Sequence, residues 1–431
     1  MIRKKLTLLA AVLMLTGMNA LKAQQTLNLS IEEAQQYAEQ HNITLQNASL
    51  EIRANEAKHW QAISSMLPQV SLGFDYQNMC GYELEFANTG MKIPMNPNGT
   101  LNVQAAIALT GAQIISKGLA DIALSMSDIQ QRQSIQTVRS NVKKTYTSIL
   151  VMEQTVTLLD SSMANMTRLQ KSTQGAVDAG AVEQIVADKL SVQVALMQNS
   201  ITSTRRSLNV LYNSLILLLG ADVNSKINLT TSVDKLMDID RIAQVGQRTF
   251  DISQNYDYQL LEASEKVSEK QVWLAKMNAT PTISAYYQYS YKTYFGKDAG
   301  MNMTPPNVIG ISISQPLFKS GNVVSQVKAA KISYQETLNS KRQAEDGLRV
   351  QYNQLCYDLA SAIDSYRTQK DNITVTKRVF DNTLEKYKYG MATNVDVTNS
   401  STDMISAQSN YIQAVLNVIN AQVALENMMS E

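Results

Sequence analysis

The sequence contains few cysteines, prolines, glycines and aromatic residues, and these shortages limit its fold class. Its 431 residues include 2 Cys, 7 Pro and 17 Gly, and aromatic residues make up 6%. This composition favours long helices over an all-β fold, which needs many Gly- and Pro-rich turns. Cys80 lies in a predicted loop and Cys356 in a helical pattern, so we expect two reduced thiols, with a disulfide as the alternative.

Long hydrophobic runs and an excess of either charge are also missing. Lys plus Arg number 38 and Asp plus Glu number 37, which gives a net charge of +1. A nucleic-acid partner is therefore not predicted, because such proteins carry a basic surplus that neutralises phosphates. Beyond residue 23 no run of about 18 apolar residues occurs, so no transmembrane helix is predicted.

Motifs for catalysis and for cofactor binding are missing as well. The chain has neither a Gly-rich phosphate-binding loop nor a nucleophile motif. His41 and His59 are the only histidines, and we expect no acidic or Cys partner to accompany either of them. Most of the 20 Met fall at helical seam positions, where packing is the expected role and Cu(I) binding the alternative. We therefore predict no enzyme activity, no cofactor and no metal.

The first residues have the pattern of a secretory signal peptide. Arg3 to Lys5 are basic, Leu6 to Met14 are apolar, and Ala20 to Ala23 offer small residues for cleavage. We predict cleavage after Ala23, with an uncleaved anchor helix as the alternative. A secreted protein of this kind can enter a membrane through β-strands.

The sequence contains an internal repeat. At a shift of 213 residues, Trp60 falls on Trp273 and Pro68 on Pro281, and these are the only two Trp residues. At a shift of 210 residues, Gly180 falls on Gly390. Each half therefore carries the same parts in the same order.

Four segments alternate apolar and polar residues with a period of two, which predicts strands. They are residues 69–76, 101–110, 282–291 and 309–314. Tilted membrane strands need about 9–11 residues, which is roughly the length found here. Two hairpins cannot close a barrel and open edges are not tolerated in lipid, so other chains must complete the sheet. Three copies would supply twelve strands; the alternative is a small soluble β-domain.

The remaining sequence predicts long helices with coiled-coil seams. Apolar residues recur in alternating steps of three and four along residues 138–166, 194–218 and 404–428. Gly180 and Gly390 each divide two such helical runs, which suits the left-handed residue that ends a helix. Residues 221–240 lack strong periodicity and are predicted to be a connector.

At this point the sequence resembles the TolC-like outer-membrane efflux family over nearly all of its mature length. The resemblance is carried by the repeat and by four motifs: SIEEA (30–34), MLPQVS (66–71), SQPLFKSG (314–321) and EKYKYGMATNVDV (385–397). Two family features are missing. The second acidic position of the last tip helix is Asn399, and an Arg expected two residues after the tip glycine is Ala392.

The resemblance implies an α+β membrane protein, a tandem-repeat protomer of a trimer. Four strands per chain would form a 12-stranded outer-membrane β-barrel, continued by a long periplasmic α-helical coiled-coil barrel. It implies a passive exit channel of a tripartite efflux or secretion system, with an adaptor protein, an inner-membrane pump and outer-membrane lipid as partners. The expected segments are a signal peptide (1–23), helical barrel (24–68), β-hairpin (69–110), helical hairpin (111–220), connector (221–240), second-repeat helical barrel (241–281), β-hairpin (282–315) and helical hairpin (316–431).

The resemblance also implies the site residues. Asp396 and Asn399 would form the periplasmic gate, and the adaptor-docking tips would comprise Gly180, Gly390, Val177 and Tyr387. An ordinary solvated carboxylate in a first helical turn is the alternative for Asp396. For the whole chain, the alternative is a coiled-coil structural or surface-binding protein anchored in the outer membrane.

Overall fold

The computed structural model describes residues 26–86, 90–295, 302 and 304–430, with the backbone alone at 233–234; the predicted signal peptide, 1–23, lies outside them. The helices are α1 (Ile31–His41), α2 (Ile43–Ser64), α3 (Gly111–Asp178), α4 (Gln184–Leu219), α5 (Val233–Leu236), α6 (Ile239–Val245), α7 (Tyr256–Met277), α8 (Asn322–Lys388) and α9 (Asn394–Met428). The strands are β1 (Thr26–Leu29), β2 (Gln69–Gln77), β3 (Glu83–Glu85), β4 (Lys92–Pro94), β5 (Asn98–Leu109), β6 (Lys226–Leu229), β7 (Thr282–Tyr294) and β8 (Asn307–Ser314).

The four predicted strands form one antiparallel sheet. The strand order is β2-β5-β7-β8. The β2–β5 hairpin of the first repeat therefore lies beside the β7–β8 hairpin of the second repeat, with β5 and β7 in contact. Strand alternation places an apolar set on one face and a polar set on the other, as the period of two requires. Among the described residues, strands β2 and β8 each pair on one side only, which leaves both edges of the sheet open.

Two short pairings were not predicted from the sequence. Strand β6, which lies within the segment expected to be a connector, pairs in parallel with β1. Strand β3 pairs with β4 in the loop between β2 and β5. Strands of three or four residues are too short to show a period. The β1–β6 pair joins the two repeats through sequence-distant residues, so no local pattern could reveal it.

The chain divides into two compact units. One contains the described residues up to Asn47, residues 132–255 and the described residues from 348 onward, and the other contains the described residues within 48–131 and 256–347. The second unit holds the four-stranded sheet with α2 and α7, the helices that lead into its β2 and β7 strands.

The core of the first unit follows the predicted seams. The coiled-coil positions of α3 and α9 are buried or half-buried along their length. One cluster surrounds Tyr146, whose hydroxyl donates to the carbonyl oxygen of Leu29 at 2.9 Å and thereby ties α3 to the β1–β6 pair. Burying the phenol with its polar group bonded avoids the cost of an unsatisfied hydroxyl.

Two further sequence expectations concern chemistry and the membrane. Cys80 and Cys356 are free thiols. No helix among the described residues is both long and apolar enough to cross a membrane.

Candidate functional site at the helix tips

The turn between α3 and α4 is closed by Gly180. Its φ of +73° lies in the left-handed region, where a side chain is strained. The Gly180 N–H donates to Val177 O at 2.8 Å, and the Ala181 N–H donates to Ala176 O at 2.9 Å. This pair of bonds is a Schellman motif, which satisfies the last carbonyl groups of α3.

The turn between α8 and α9 repeats the same geometry at Gly390. Its φ is +71°, its N–H donates to Tyr387 O at 3.0 Å, and the Met391 N–H donates to Lys386 O at 2.8 Å. The two turns, matched by the sequence shift, are therefore equivalent in hydrogen bonding as well. Val177 and Tyr387, both predicted as tip residues, hold corresponding positions. The carbonyl oxygen of each accepts a hydrogen bond from the N–H of its tip glycine.

The helices that follow the two turns begin differently. Helix α9 starts with a capping box: Asp396 N–H donates to Thr393 Oγ1 at 3.2 Å, and Thr393 N–H donates to Asp396 Oδ2 at 2.7 Å. Glu183, which corresponds to Thr393 under the 210-residue shift, is the N-cap residue of α4. It makes no side-chain capping bond in the described structure. The second tip therefore has a helix start that the first lacks.

The carboxylate of Asp396 is exposed and engaged at the same time. The Thr393 hydroxyl donates to Asp396 Oδ2 at 2.6 Å. This bond, followed by the bond from the Thr393 amide, holds the pKa of Asp396 below its ordinary value. Asp396 is thus ionised at neutral pH and presents its charge to solvent. Asn399, one helical turn further along α9, is also exposed.

The two tips are held against each other within one chain. Asn394 Nδ2 donates to the Val186 carbonyl oxygen at 2.8 Å, joining the first turns of α9 and α4. Beneath this bond a buried cluster draws side chains from all four long helices, namely Leu159, Met166, Leu169, Leu190, Met197, Ile201, Phe380, Leu384, Val397 and Met404. Tyr387 is half-buried against it. The tips are therefore parts of one packed four-helix end.

Apolar side chains remain exposed at both tips. Ile185 and Val395 correspond under the 210-residue shift, and each is 55% exposed. Met391 and Tyr389 are exposed beside them on the second tip. The same apolar position is therefore exposed in both repeats.

A polar groove lies above the tips between α3 and α8. It encloses about 360 Å³ and is lined by charges of both signs, including Arg168, Asp381, Glu385 and Lys388. Lys388 pairs with Glu385 at 2.5 Å, within α8. Charges of both signs therefore lie to one side of the apolar tips.

Sequence analysis missed several of these features. The Thr393–Asp396 capping box had a readable signal, because Thr followed three residues later by an acid is typical of a helix start. The Asn394–Val186 bond had no signal, since its partners lie 208 positions apart. The tip apolar residues could have been found by applying the repeat shift to Ile185.

The expectation that His59 lacks an acidic partner is wrong. His59 Nε2 lies 2.7 Å from Asp121 Oδ1, and Lys117 Nζ lies 2.7 Å from Asp121 Oδ2. Asp121 is on α3 and His59 on α2, so their separation in sequence concealed the pair. Among the described residues, no group of three or more His, Cys, Asp or Glu is arranged to hold a metal ion.

Comparison with known proteins agrees with this architecture. The family model "Outer membrane efflux protein" matches residues 252–431. The outer membrane protein TolC of Escherichia coli (strain K12) is 23% identical over 454 residues, covering 99% of this chain and 86% of that protein. The outer membrane efflux protein BepC of Brucella suis biovar 1 (strain 1330) is 26% identical over 135 residues, covering 31% of this chain and 29% of that protein.

A solved structure extends the match to nearly the whole fold. The outer membrane protein VceC from Vibrio cholerae superimposes with a TM-score of 0.72 at 14% identity, covering 93% of this chain and 96% of that one. The predicted fold class and the resemblance that implied it are therefore confirmed.

Proposed function

We propose that this member of the TolC-like outer-membrane efflux protein family is the outer-membrane channel of a tripartite efflux or secretion system. It gives substrates a passive exit from the periplasm to the outside of the cell. The family is one of channels and not of enzymes. The observation that carries the proposal is the four-stranded sheet, with its two unlike faces and two open edges.

One face of the sheet suits lipid. On β8 the side chains of Ile309, Ile311 and Ile313 are all exposed, and on β2 those of Val70, Leu72 and Phe74 are too. An exposed apolar face of this extent is costly in water and favourable in a bilayer.

The other face suits water. Asn102 Nδ2 donates to Asp75 Oδ2 at 3.3 Å, and Ser290 Oγ donates to Asn102 Oδ1 at 2.7 Å. Gln288 Nε2 donates to Ser290 Oγ at 2.9 Å, which extends the network on β7. A hydrogen-bonded polar face opposite an apolar one is the arrangement of a barrel whose interior is wet.

The open edges support a trimer. In the part of the chain that the structure describes, strands β2 and β8 each leave one row of backbone groups unpaired, and such groups cost several kcal/mol each in hydrocarbon. Pairing β8 of one copy with β2 of the next closes a ring of twelve strands from three copies. The protein is thus an outer-membrane homotrimer with a large periplasmic portion.

Residues at the helix tips support the proposals of an adaptor contact and of a periplasmic gate. Ile185, Val395 and Met391 offer apolar contacts for a periplasmic adaptor, which in turn links the channel to an inner-membrane pump. Three copies of Asp396 around the narrow end would form an acidic ring that favours cations. Like charges about 6 Å apart repel by under 1 kcal/mol in water and more at lower dielectric, so other contacts must hold the closed state.

The test uses two neighbouring residues on opposite faces of β8. Ile311→Lys puts a charge on the lipid face, where it costs about 2–4 kcal/mol near the bilayer midplane, whereas Ser312→Lys puts the same charge in the wet interior. We expect crosslinking of intact cells to trap a trimer in the outer-membrane fraction for Ser312→Lys and the unmodified protein. Ile311→Lys should lose most of it.

Two results would contradict the proposal. If Ile311→Lys and Ser312→Lys assemble equally well, the apolar face does not meet lipid. If the protein fractionates with the inner membrane or the periplasm, it is not an outer-membrane channel. A trimer that inserts into planar bilayers without conducting would instead favour a structural or surface-binding protein.

A further inference from the structure

The helix ends next to the sheet form a collar, defined here as residues 53–64, 111–122, 266–277 and 319–331. Hydrogen bonds join these ends in two pairs. Gln113 Nε2 donates to Ser65 O at 2.8 Å, joining the start of α3 to the end of α2. Lys319 Nζ donates to Asn278 O at 3.3 Å, joining the segment before α8 to the end of α7. Gln69, the first residue of β2, donates to Ser64 O at 2.9 Å, so the sheet begins where the collar ends.

The collar carries a surplus of positive charge. On the α7 and α8 side Glu269 is its only acidic residue, against six lysines: Lys266, Lys270, Lys276, Lys319, Lys328 and Lys331. The whole chain has a net charge of only +1. Positive charge is therefore concentrated beside the sheet and balanced elsewhere.

Both tryptophans of the protein lie in the collar. Trp60 is 62% exposed and Trp273 is 43% exposed, and they correspond under the repeat. Each stands four residues before the end of its helix, which is about 6 Å along the axis. Lys276 Nζ lies 3.9 Å from the ring centroid of Trp273, so a cation and an indole share one spot.

Lys266, Lys270 and Trp273 are spaced four and three residues apart on α7 and so share one face of the helix. Trp273 and these two lysines thus form one aromatic and basic patch. It is the pairing that membrane–water interfaces select, because the indole prefers the headgroup layer and lysine attracts anionic lipid.

We infer that the collar lies in the headgroup layer of the periplasmic leaflet of the outer membrane and binds anionic phospholipid headgroups there. The inference builds on the proposed function, since the adjoining sheet must span the bilayer. Its support is the continuity of the collar with the lipid-facing strands and the match between its charge and an anionic surface. A headgroup layer occupies roughly 5–8 Å on each side of the hydrocarbon, which is the depth of the tryptophans along their helices.

The tryptophans make the test direct, because no other residue contributes indole fluorescence. The purified trimer is reconstituted into phosphatidylcholine vesicles that contain a small fraction of brominated phosphatidylglycerol, or the same fraction of brominated phosphatidylcholine. We expect bromine to quench the fluorescence, and the phosphatidylglycerol to quench it several-fold more. Trp60→Phe and Trp273→Phe variants each leave one reporter and should give the same ranking.

Charge neutralisation separates lipid binding from mere proximity. Each lysine near an anionic surface strengthens attraction roughly fivefold. The combined variant Lys276→Gln, Lys319→Gln and Lys328→Gln should lose the preference for phosphatidylglycerol while keeping its conductance. Lys226→Gln, an exposed lysine on β6 outside the collar, should keep both.

Each contrary outcome would overturn a different claim. Conducting vesicles whose tryptophans are quenched by aqueous acrylamide but not by brominated lipid would overturn the collar assignment alone. Equal quenching by the two lipids in the unmodified protein would overturn the anionic preference. Vesicles that hold the trimer without any conductance would overturn the proposed function, and the collar assignment with it.

Discussion

Replacing Gly390 tests the tip turn on which the adaptor and gate proposals depend. The left-handed conformation costs an ordinary residue about 1–2 kcal/mol, and a β-branched residue more. A Cβ built at Gly390 meets no atom within 4 Å, so the cost is purely conformational. We therefore expect Gly390→Ala to destabilise the turn by about 1–2 kcal/mol, Gly390→Val by more, and Gly390→Asn by less.

Gly175 provides a matched control with the opposite sign. It lies inside α3, it does not have a positive φ, and its Cβ would also meet nothing within 4 Å. Alanine at this helical position should be neutral or stabilise by about 0.5–1 kcal/mol, because glycine is a poor helix former. The two substitutions add the same methyl group and differ only in backbone conformation.

Amide hydrogen exchange measures the effect locally. The Met391 amide donates to Lys386 O, and its exchange reports opening of the turn. A loss of 1–2 kcal/mol corresponds to roughly 5- to 30-fold faster exchange in Gly390→Ala. In cells, Gly390→Val should impair export while the trimer still inserts at a normal level. Equal exchange in Gly390→Ala and Gly175→Ala, or normal export in Gly390→Val, would refute this account of the tip.

Three further outcomes are expected. In planar bilayers Asp396→Ala should lower cation selectivity and weaken block by multivalent cations, whereas Asn399→Ala should change little; unaltered selectivity and block would make Asp396 a surface carboxylate. Because the folded-state pKa of Asp396 is depressed, its capping contribution is complete above the ordinary carboxyl pKa and is lost as pH falls through the depressed value. Amide protection in the first turn of α9, taken as exchange relative to the intrinsic rate at the same pH, should therefore fall in acid, and Thr393→Ala should be several-fold less protected already at neutral pH, with a protection that depends less on pH. A Cβ at Gly310 would lie 2.6 Å from the Tyr286 ring, so Gly310→Val should reduce the yield of outer-membrane trimer and Tyr286→Ala should partly restore it; an unchanged yield would show that the ring moves aside freely.

The sequence predicted those parts of the fold whose physical signal is local or repeated. The strand at Ile309 to Ile313 shows its period of two directly, and the α9 seam shows its three–four stepping. Gly180 and Gly390 were identifiable as turns because a glycine between two helical runs commonly supplies the left-handed residue that ends a helix. The repeat doubled the evidence, since each element had a counterpart to confirm its type.

The parts that escaped prediction depend on contacts between distant residues. Nothing near His59 in the sequence indicates Asp121, and nothing near Asn394 indicates Val186. The four-residue β6 strand acquires its identity only from β1. Side-chain chemistry can be read along the chain, but partners on neighbouring helices are chosen by the three-dimensional packing.

The unequal starts of α4 and α9 show that the two repeats share their turns but differ in their helix starts. A duplicated segment begins with two identical copies, and each copy is then free to specialise as long as the other performs the shared task. Here the turn geometry stayed common to both, while only the second copy kept or gained the Thr393–Asp396 box. In the proposed trimer the six tips would therefore be of two kinds, three with a capping box at the helix start and three without a side-chain cap. A partner that contacts both tips of one chain therefore meets two equal turns followed by two unlike helix starts.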